Sequence, residues 1–227
     1  MNPLPQKIRF LSMIYIWISH GDPFIYHYFN TSKVLDVGCG TGSFIKRNPR
    51  NYYGIDISNS LVNICVQQGL NAIVGSATDL PFKDENIEAI NCNNLIEHLS
   101  PDSAAIMLNE FARVLKKGGI VMLRSPLGEN VWDTFSHIRP YPPTAIKKLI
   151  TSETEDFVRP DNNHLKQLHI LHIYFQGKYF KNRILFFLSN TWTHFIPWSR
   201  KSAYVLILTK SFNPNIQSNQ ELLQEVK

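Results

Sequence analysis

Short apolar runs, each closed by an acid or a glycine, recur along the first half of the chain. "VLDVG" (34–38) is β-branched and bounded by Lys33 and by glycine, and the pattern predicts a buried strand ending at Gly38. "NYYGIDIS" (51–58) is a second such run, ending in Asp56. "NAIVGSATDLPF" (71–82) predicts a third strand, then a loop with Asp79 ahead of Leu-Pro-Phe. "IEAINCNNLIEHLSP" (87–101) predicts a fourth, running into a loop with Glu97 and His98. "GIVMLRSP" (119–126) is the fifth strand and "AYVLILTK" (203–210) the last. Helical spacing lies between the strands. In "SNSLVNICVQQGL", Ser58 is the expected N-cap, and Leu61, Ile64, Cys65 and Gln68 share a face. Ser100, Pro101 and Asp102 open another helix. Its apolar stripe is Ala104, Met107, Leu108, Phe111, Val114 and Leu115, and Gly118 is expected to end it. Strands alternating with helices predict an α/β architecture, a mostly parallel sheet with helices on both faces.

The first strand is followed by unusual chemistry. In "VLDVGCGTGSF" (34–44), Gly38, Gly40 and Gly42 alternate through a turn and "SFIK" begins a helix-like segment. A strand feeding a glycine-rich turn and a helix N-terminus seats nucleotide-like ligands. Glycine permits close backbone approach, and free amides at the helix start face the ligand. A dinucleotide site has G-x-G-x-x-G, with pyrophosphate on the helix N-terminus. Here the order is G-C-G-T-G, one residue tighter, with Asp36 two places before the first glycine. An acid there suits a positively charged ligand, and S-adenosylmethionine carries a cationic amino group and a sulfonium. Asp56, 20 residues after Asp36, stands about where an acid ending the second strand binds ribose hydroxyls.

From about Lys33 to Leu123 the chain resembles the class I S-adenosylmethionine-dependent methyltransferases, in the type 11 group related to quinone-biosynthesis methyltransferases. The matching stretches are "LDVGCGTGSF", "GIDIS", "ATDLPF", "NNLIEHL" and "RVLKKGGIVMLRSP". The resemblance implies a Rossmann-like seven-stranded sheet of order 3-2-1-4-5-7-6 with strand 7 antiparallel. It further implies that Asp36, Gly38, Cys39, Gly40 and Gly42 hold the methionine end of the cofactor. Asp56 with Ile57 would take the ribose, and Ala77, Thr78, Asp79 and Leu80 the adenine edge. Asn94 and Leu95 would close over the sulfonium side. One departure is Glu88, which stands where the family's fourth strand usually begins with Asp.

"WDTFSHIRPYPPTAIKKLI" (132–150) resembles a segment of group members acting in cell-surface glycan and lipid pathways. His137, Arg139 and Tyr141 sit on this loop before a helix containing Ile146, Leu149 and Ile150. A loop after a strand's carboxyl end lies at the mouth of an open α/β sheet. His137 is therefore a candidate general base for a hydroxyl acceptor, its ordinary pKa lying near neutral. Arg139 and Tyr141 are candidate acceptor contacts, and Tyr141 and His98 are further candidate catalytic groups. The competing readings are that the triplet only shapes its loop and that His98 only buttresses the cofactor loop.

Composition adds limits. A chain of 227 residues, 44% hydrophobic, can bury the core of one catalytic domain. Cys39, Cys65 and Cys92 lie in apolar elements with no C-x-x-C spacing, and are expected to be reduced packing residues in a cytoplasmic protein. No run of about 18 apolar residues predicts a membrane span. "KIRFLSMIYIWISHGDP" superficially resembles a signal peptide but lacks a small-x-small cleavage site. Residues 1–30 are expected to form a helical cap, 31–210 the catalytic domain and 211–227 a polar tail.

Residues 159–201 carry seven Lys or Arg against one acid, Asp161, interleaved with Trp, Tyr and Phe. This basic aromatic stretch (about 160–200) suits an active-site lid or a surface that meets lipid headgroups, and the two are compatible. RNA binding by phosphate contact and stacking fits it less well. His164, His169 and His172 have helical spacing but no acid or cysteine beside them, and no metal is expected. The expected activity is methyl transfer from S-adenosylmethionine to oxygen on a small-molecule, lipid or lipid-linked glycan acceptor. The alternatives are a tRNA base methyltransferase and a non-catalytic S-adenosylmethionine-binding protein.

Overall fold

In the computed structural model, which describes residues 29, 33–151, 164–176 and 203–211, seven strands form one sheet. They are β1 (Val34–Val37), β2 (Tyr52–Asp56), β3 (Ala72–Val74), β4 (Ile87–Asn93), β5 (Leu115–Pro126), β6 (Leu168–Gln176) and β7 (Ala203–Lys210). Their order is β3-β2-β1-β4-β5-β7-β6. β1 pairs parallel with β2 and β4, and β7 runs antiparallel to both β5 and β6. This is the order that the resemblance implies. All four β1 residues and all eight of β7 are buried, as expected of largely apolar strands covered on both faces, with Asp36, Thr209 and Lys210 the polar exceptions.

Among the described residues, helices α1 (Asn59–Gln67), α2 (Pro101–Val114) and α3 (Pro143–Thr151) accompany the sheet. The Ser58 hydroxyl accepts the Leu61 N–H at 3.4 Å, and the Ser100 hydroxyl accepts that of Ser103 at 3.2 Å, so both expected N-caps form. The α2 stripe packs with Leu35, Val37, Ile55, Leu206 and Leu208 in one core cluster. A second cluster gathers Phe29, Val34, Phe44, Tyr52 and Cys65 with Met122 and Ile207, and the Phe44 and Tyr52 rings stack at 4.6 Å.

Four local expectations need correction. On α1 the buried residues are Val62 and Cys65, while Ile64 is exposed, so the inward face is rotated from the predicted one. α2 stops at Val114 rather than at Gly118: Leu115 already pairs with Ile87, and Gly118 (φ +73°) lies in the irregular stretch before the register resumes at Ala89 and Ile120. "SFIK" does not open an α-helix, because only a 3-10 turn, Ile45–Arg47, forms before the chain returns to β2. Residues 168–176 are a strand, in which His169 pairs with Thr209 and His172 with Ile207 across a bulge, so the helical histidine spacing is not realised.

Of the expected cap over residues 1–30 all but Phe29, of the expected tail 211–227 all but Ser211, and of the basic aromatic stretch (about 160–200) residues 160–163 and 177–200 lie outside the described residues. Among the described residues no helix is long and apolar enough to cross a membrane.

Candidate functional site

The loop leaving β1 shows why three glycines are needed. Gly38, Gly40 and Gly42 have φ of +75°, +54° and +77°, the left-handed region that costs other residues about 1–2 kcal/mol. A Cβ on Gly42 would stand 2.6 Å from Leu70 Cδ1, and one on Gly38 would stand 3.1 Å from Leu95 Cδ2. Among the described residues a Cβ on Gly40 would meet nothing within 4 Å. The amides of Gly38, Cys39, Gly40 and Gly42 are bonded within the chain. The Gly38 and Cys39 N–H groups donate to the Ile55 carbonyl (2.9 and 3.1 Å), and Gly42 donates to the Cys39 carbonyl at 2.9 Å. The Gly40 N–H donates to Asp56 Oδ2 at 2.9 Å, which ties the loop to the end of β2. The Cys39 side chain is buried, and a Cβ on Gly54 would fall 2.6 Å from its Sγ. The Cys65 thiol donates to the Gly40 carbonyl at 3.3 Å. All three cysteines are unpaired and buried.

Asp36, next to last in β1, has its side chain buried and accepts from Asn91 Nδ2 at 2.6 Å. Burial pushes its carboxyl up to about 7; the Asn91 hydrogen bond opposes this and the Asp56 charge adds to it. A cation beside Asp36 would favour its ionised form. Asp56 uses its second oxygen, Oδ1, to accept the Ser58 N–H at 2.9 Å. Ile57 beside it is 77% exposed, an apolar side chain left in water at the carboxyl end of β2.

The loop after β3 is fastened by α2. The Leu80 N–H donates to Glu110 Oε2 at 2.8 Å, and Arg113 donates to the carbonyls of Leu80 (3.0 Å) and Phe82 (2.8 Å). Arg113 also pairs with Glu110 and Asp84. Leu80 is thus engaged at its amide and buried at its side chain, whereas Asp79 is exposed and Ala77 and Thr78 are half-buried. After β4, Asn94 is exposed at φ +51°, and Leu95 lies over Gly38.

Next along the same loop comes a cluster that the sequence only partly disclosed. Glu97 is fully buried; its Oε2 accepts the Ser125 hydroxyl at 3.1 Å, and its Oε1 has no hydrogen-bond partner among the described residues. His137 Nε2 lies 4.0 Å from that Oε1. His137 Nδ1 is 2.6 Å from the Val131 carbonyl oxygen, and His98 Nδ1 is 3.1 Å from that of Ser136. The two imidazoles meet edge to face at 4.6 Å. The Glu97 carbonyl accepts the Ile138 N–H at 2.8 Å, folding the 131–139 loop onto the turn Ile96–His98.

His98 and His137 are therefore brought together, and Tyr141 is not. Its hydroxyl donates to the Leu99 carbonyl at 2.8 Å, and its own carbonyl accepts the Tyr204 hydroxyl at 2.6 Å. That geometry makes Tyr141 a brace of the loop, with the Arg139 guanidinium 5.2 Å from its ring centroid. Glu97, Asn91 and the Glu110–Arg113 pair were missing from the sequence-derived residues. The one available signal was Glu97 itself, an acid inside the apolar frame "LIEHL". A cavity of about 640 Å³ lies elsewhere, lined by residues including Lys33, Tyr53, Ile73, Phe82, Glu88 and Lys116, and none of the site residues borders it.

Residues 35–123 match the family model described as a methyltransferase domain. A tRNA (carboxymethyluridine(34)-5-O)-methyltransferase of Arabidopsis thaliana is 35% identical over 94 residues, 40% of this chain and 23% of that protein. A fatty-acid O-methyltransferase of Mycolicibacterium smegmatis is 40% identical over 96 residues, 38% of this chain and 34% of that protein. The chain thus spans about a quarter to a third of the length of these curated relatives. The crystal structure of an S-adenosylmethionine-dependent methyltransferase from Archaeoglobus fulgidus superposes with a TM-score of 0.61 at 18% identity, covering 86% of this chain and 94% of that one.

Proposed function

We propose that this chain, which belongs through residues 35–123 to the class I S-adenosylmethionine-dependent methyltransferases of the type 11 group, methylates an acceptor oxygen. The acceptor is a small molecule, a lipid or a lipid-linked glycan. The cofactor is S-adenosylmethionine. In the reaction the acceptor oxygen attacks the sulfonium methyl in line, the carbon–sulfur bond breaks, and S-adenosylhomocysteine leaves as the acceptor gives up its proton. The protein's main contribution is alignment and exclusion of water.

The observation that carries this reading is the Glu97–His98–His137 cluster, two residues beyond the Leu95 that covers Gly38. It sets proton-accepting groups beside the loop assigned to the methionine end. Asp36 suits the cofactor's amino group, and Asp56 suits its ribose hydroxyls. The names of both curated relatives place the methyl on oxygen, which supports O-methylation. A tRNA acceptor is the second reading, supported by the name of the Arabidopsis relative. Three unpaired, buried thiols support a cytoplasmic setting. Peripheral membrane contact through residues 160–200 belongs to the same proposal.

Incubating the purified protein with methyl-labelled S-adenosylmethionine and fractionated cell extract tests it. Label in the lipid or small-molecule fraction is the expected result. Label in RNA establishes the second reading, and cofactor binding without label in any fraction leaves a non-catalytic binding protein.

A further inference from the structure

Glu97, His98 and His137 bring three ligand atoms close together, and we propose that they hold a divalent transition-metal ion, of which zinc is the type, at the acceptor end of the site. These atoms lie within 4.8 Å of one another. The acceptor role rests on the methyl-transfer reading above, but the binding of the ion does not.

The hydrogen bonds fix which atoms are free. A backbone carbonyl can only accept, so the carbonyls of Val131 and Ser136 place a proton on Nδ1 of His137 and of His98. In the neutral rings this leaves both Nε2 atoms with lone pairs. A carbonyl on the far ring nitrogen is the usual support of a metal-binding histidine. Ser125 holds Oε2 of Glu97, which leaves Oε1 buried without a hydrogen bond. A buried carboxylate oxygen in that state is costly unless a cation compensates it.

The His137 Nε2 lone pair and Glu97 Oε1 therefore face each other, two acceptors 4.0 Å apart. That is beyond the roughly 2.7–3.2 Å of a direct hydrogen bond. It is close to two metal–ligand bonds laid end to end, each about 2.0–2.2 Å. Tetrahedral ligation needs the atoms roughly 3.3 Å apart, so closure asks for side-chain shifts of about 1 Å. Two imidazoles and one carboxylate suit zinc, iron(II) or manganese, and three protein ligands leave positions open for an exogenous oxygen. An ion there would polarise an acceptor hydroxyl and ease loss of its proton to solvent as the oxygen takes the methyl. The sequence-based expectation of no metal weighed only His164, His169 and His172, which are a different set.

The test uses the purified full-length chain, stripped with a chelator and dialysed against Zn²⁺, Mn²⁺ or Co²⁺ in turn. Metal content and the visible absorption of Co²⁺ are then read. About one ion per chain is expected, with affinity lowered at least about 10-fold in Glu97→Gln and in His98→Gln. His169→Ala should bind as the wild type does. Half-buried His98 is the less disruptive site of change, and thermal melting establishes that each variant is folded. A folded wild type that retains none of the three ions overturns the proposal, as does an ion bound equally well by both site variants. Methyl transfer by a metal-free wild type would remove the ion and leave the function standing. A bound ion with no methyl transfer to any fraction would do the reverse.

Discussion

Gly40 and Gly42 have similar backbone conformations and opposite surroundings, so the same substitution at each should separate binding from stability. Alanine at Gly40 has to adopt φ near +54° but meets no atom of the described residues within 4 Å. The expected loss is about 1–2 kcal/mol of folding stability, from backbone strain alone. For a chain of this size that lowers Tm by about 2–8 °C. The added methyl, however, enters the space beside the loop assigned to the cofactor. An overlap costing about 1–3 kcal/mol there weakens S-adenosylmethionine roughly 5- to 150-fold. Alanine at Gly42 carries the same strain and also drives its Cβ to 2.6 Å from Leu70 and 3.0 Å from the Cys65 sulfur. Overpacking adds about 1–3 kcal/mol, so the total reaches about 2–5 kcal/mol. Urea denaturation measures the stabilities, and titration calorimetry measures the cofactor affinities. Wild-type affinity in folded Gly40→Ala would refute the placement of the cofactor on this loop, and equal stability of the two variants would refute the packing argument.

Asp56→Ala should weaken S-adenosylmethionine by about 1.5–3 kcal/mol, the worth of a hydrogen bond to a charged group, and an unchanged Kd by calorimetry removes Asp56 from the site. His137→Asn should leave cofactor affinity intact and lower turnover about 10²–10⁴-fold, whereas a loss of only a few-fold assigns His137 to loop structure. Asp36, held up at about 7 against an ordinary 3.8, retains its proton in the folded protein where the unfolded chain has lost it. Its stabilisation is complete below the lower value and is lost as pH rises through the upper one, so ligand-free stability should fall between about pH 4 and 7. Asp36→Asn should flatten that slope in urea titrations, and an unaltered slope contradicts the assignment. Peripheral membrane contact predicts co-sedimentation with anionic vesicles, weakened more by Trp198→Ala than by Lys166→Ala; protein left in the supernatant at low salt counts against it.

The sheet order came from the family resemblance alone, whereas β1 and β7 were legible as strands because strands buried on both faces are nearly all apolar. β6 was not, because "LHILHIYFQ" mixes histidine with aromatics, and its partner β7 lies more than 25 residues away in sequence. The end of α2 misled for a local reason: Leu115 continues the helical stripe while pairing with Ile87 as the first residue of β5. At the site, the glycines announced their left-handed conformations. Their amide partners depend on where Ile55 and Asp56 arrive, which one strand's sequence does not encode. Glu97 was passed over because an acid in a loop ordinarily faces water, and only the fold of residues 131–139 over it makes it buried. Tyr141 looked like a chemical group until its hydroxyl was seen on the Leu99 carbonyl.

The most direct test of the account is a crystal structure of the chain with S-adenosylhomocysteine. The account predicts the ligand's amino group beside Asp36, its ribose hydroxyls on Asp56, and its sulfur on the Asn94–Leu95 side, facing Glu97, His98 and His137. A ligand seated instead in the cavity lined by Lys33, Tyr53 and Glu88, or bound with its sulfur turned away from the two histidines, would contradict it.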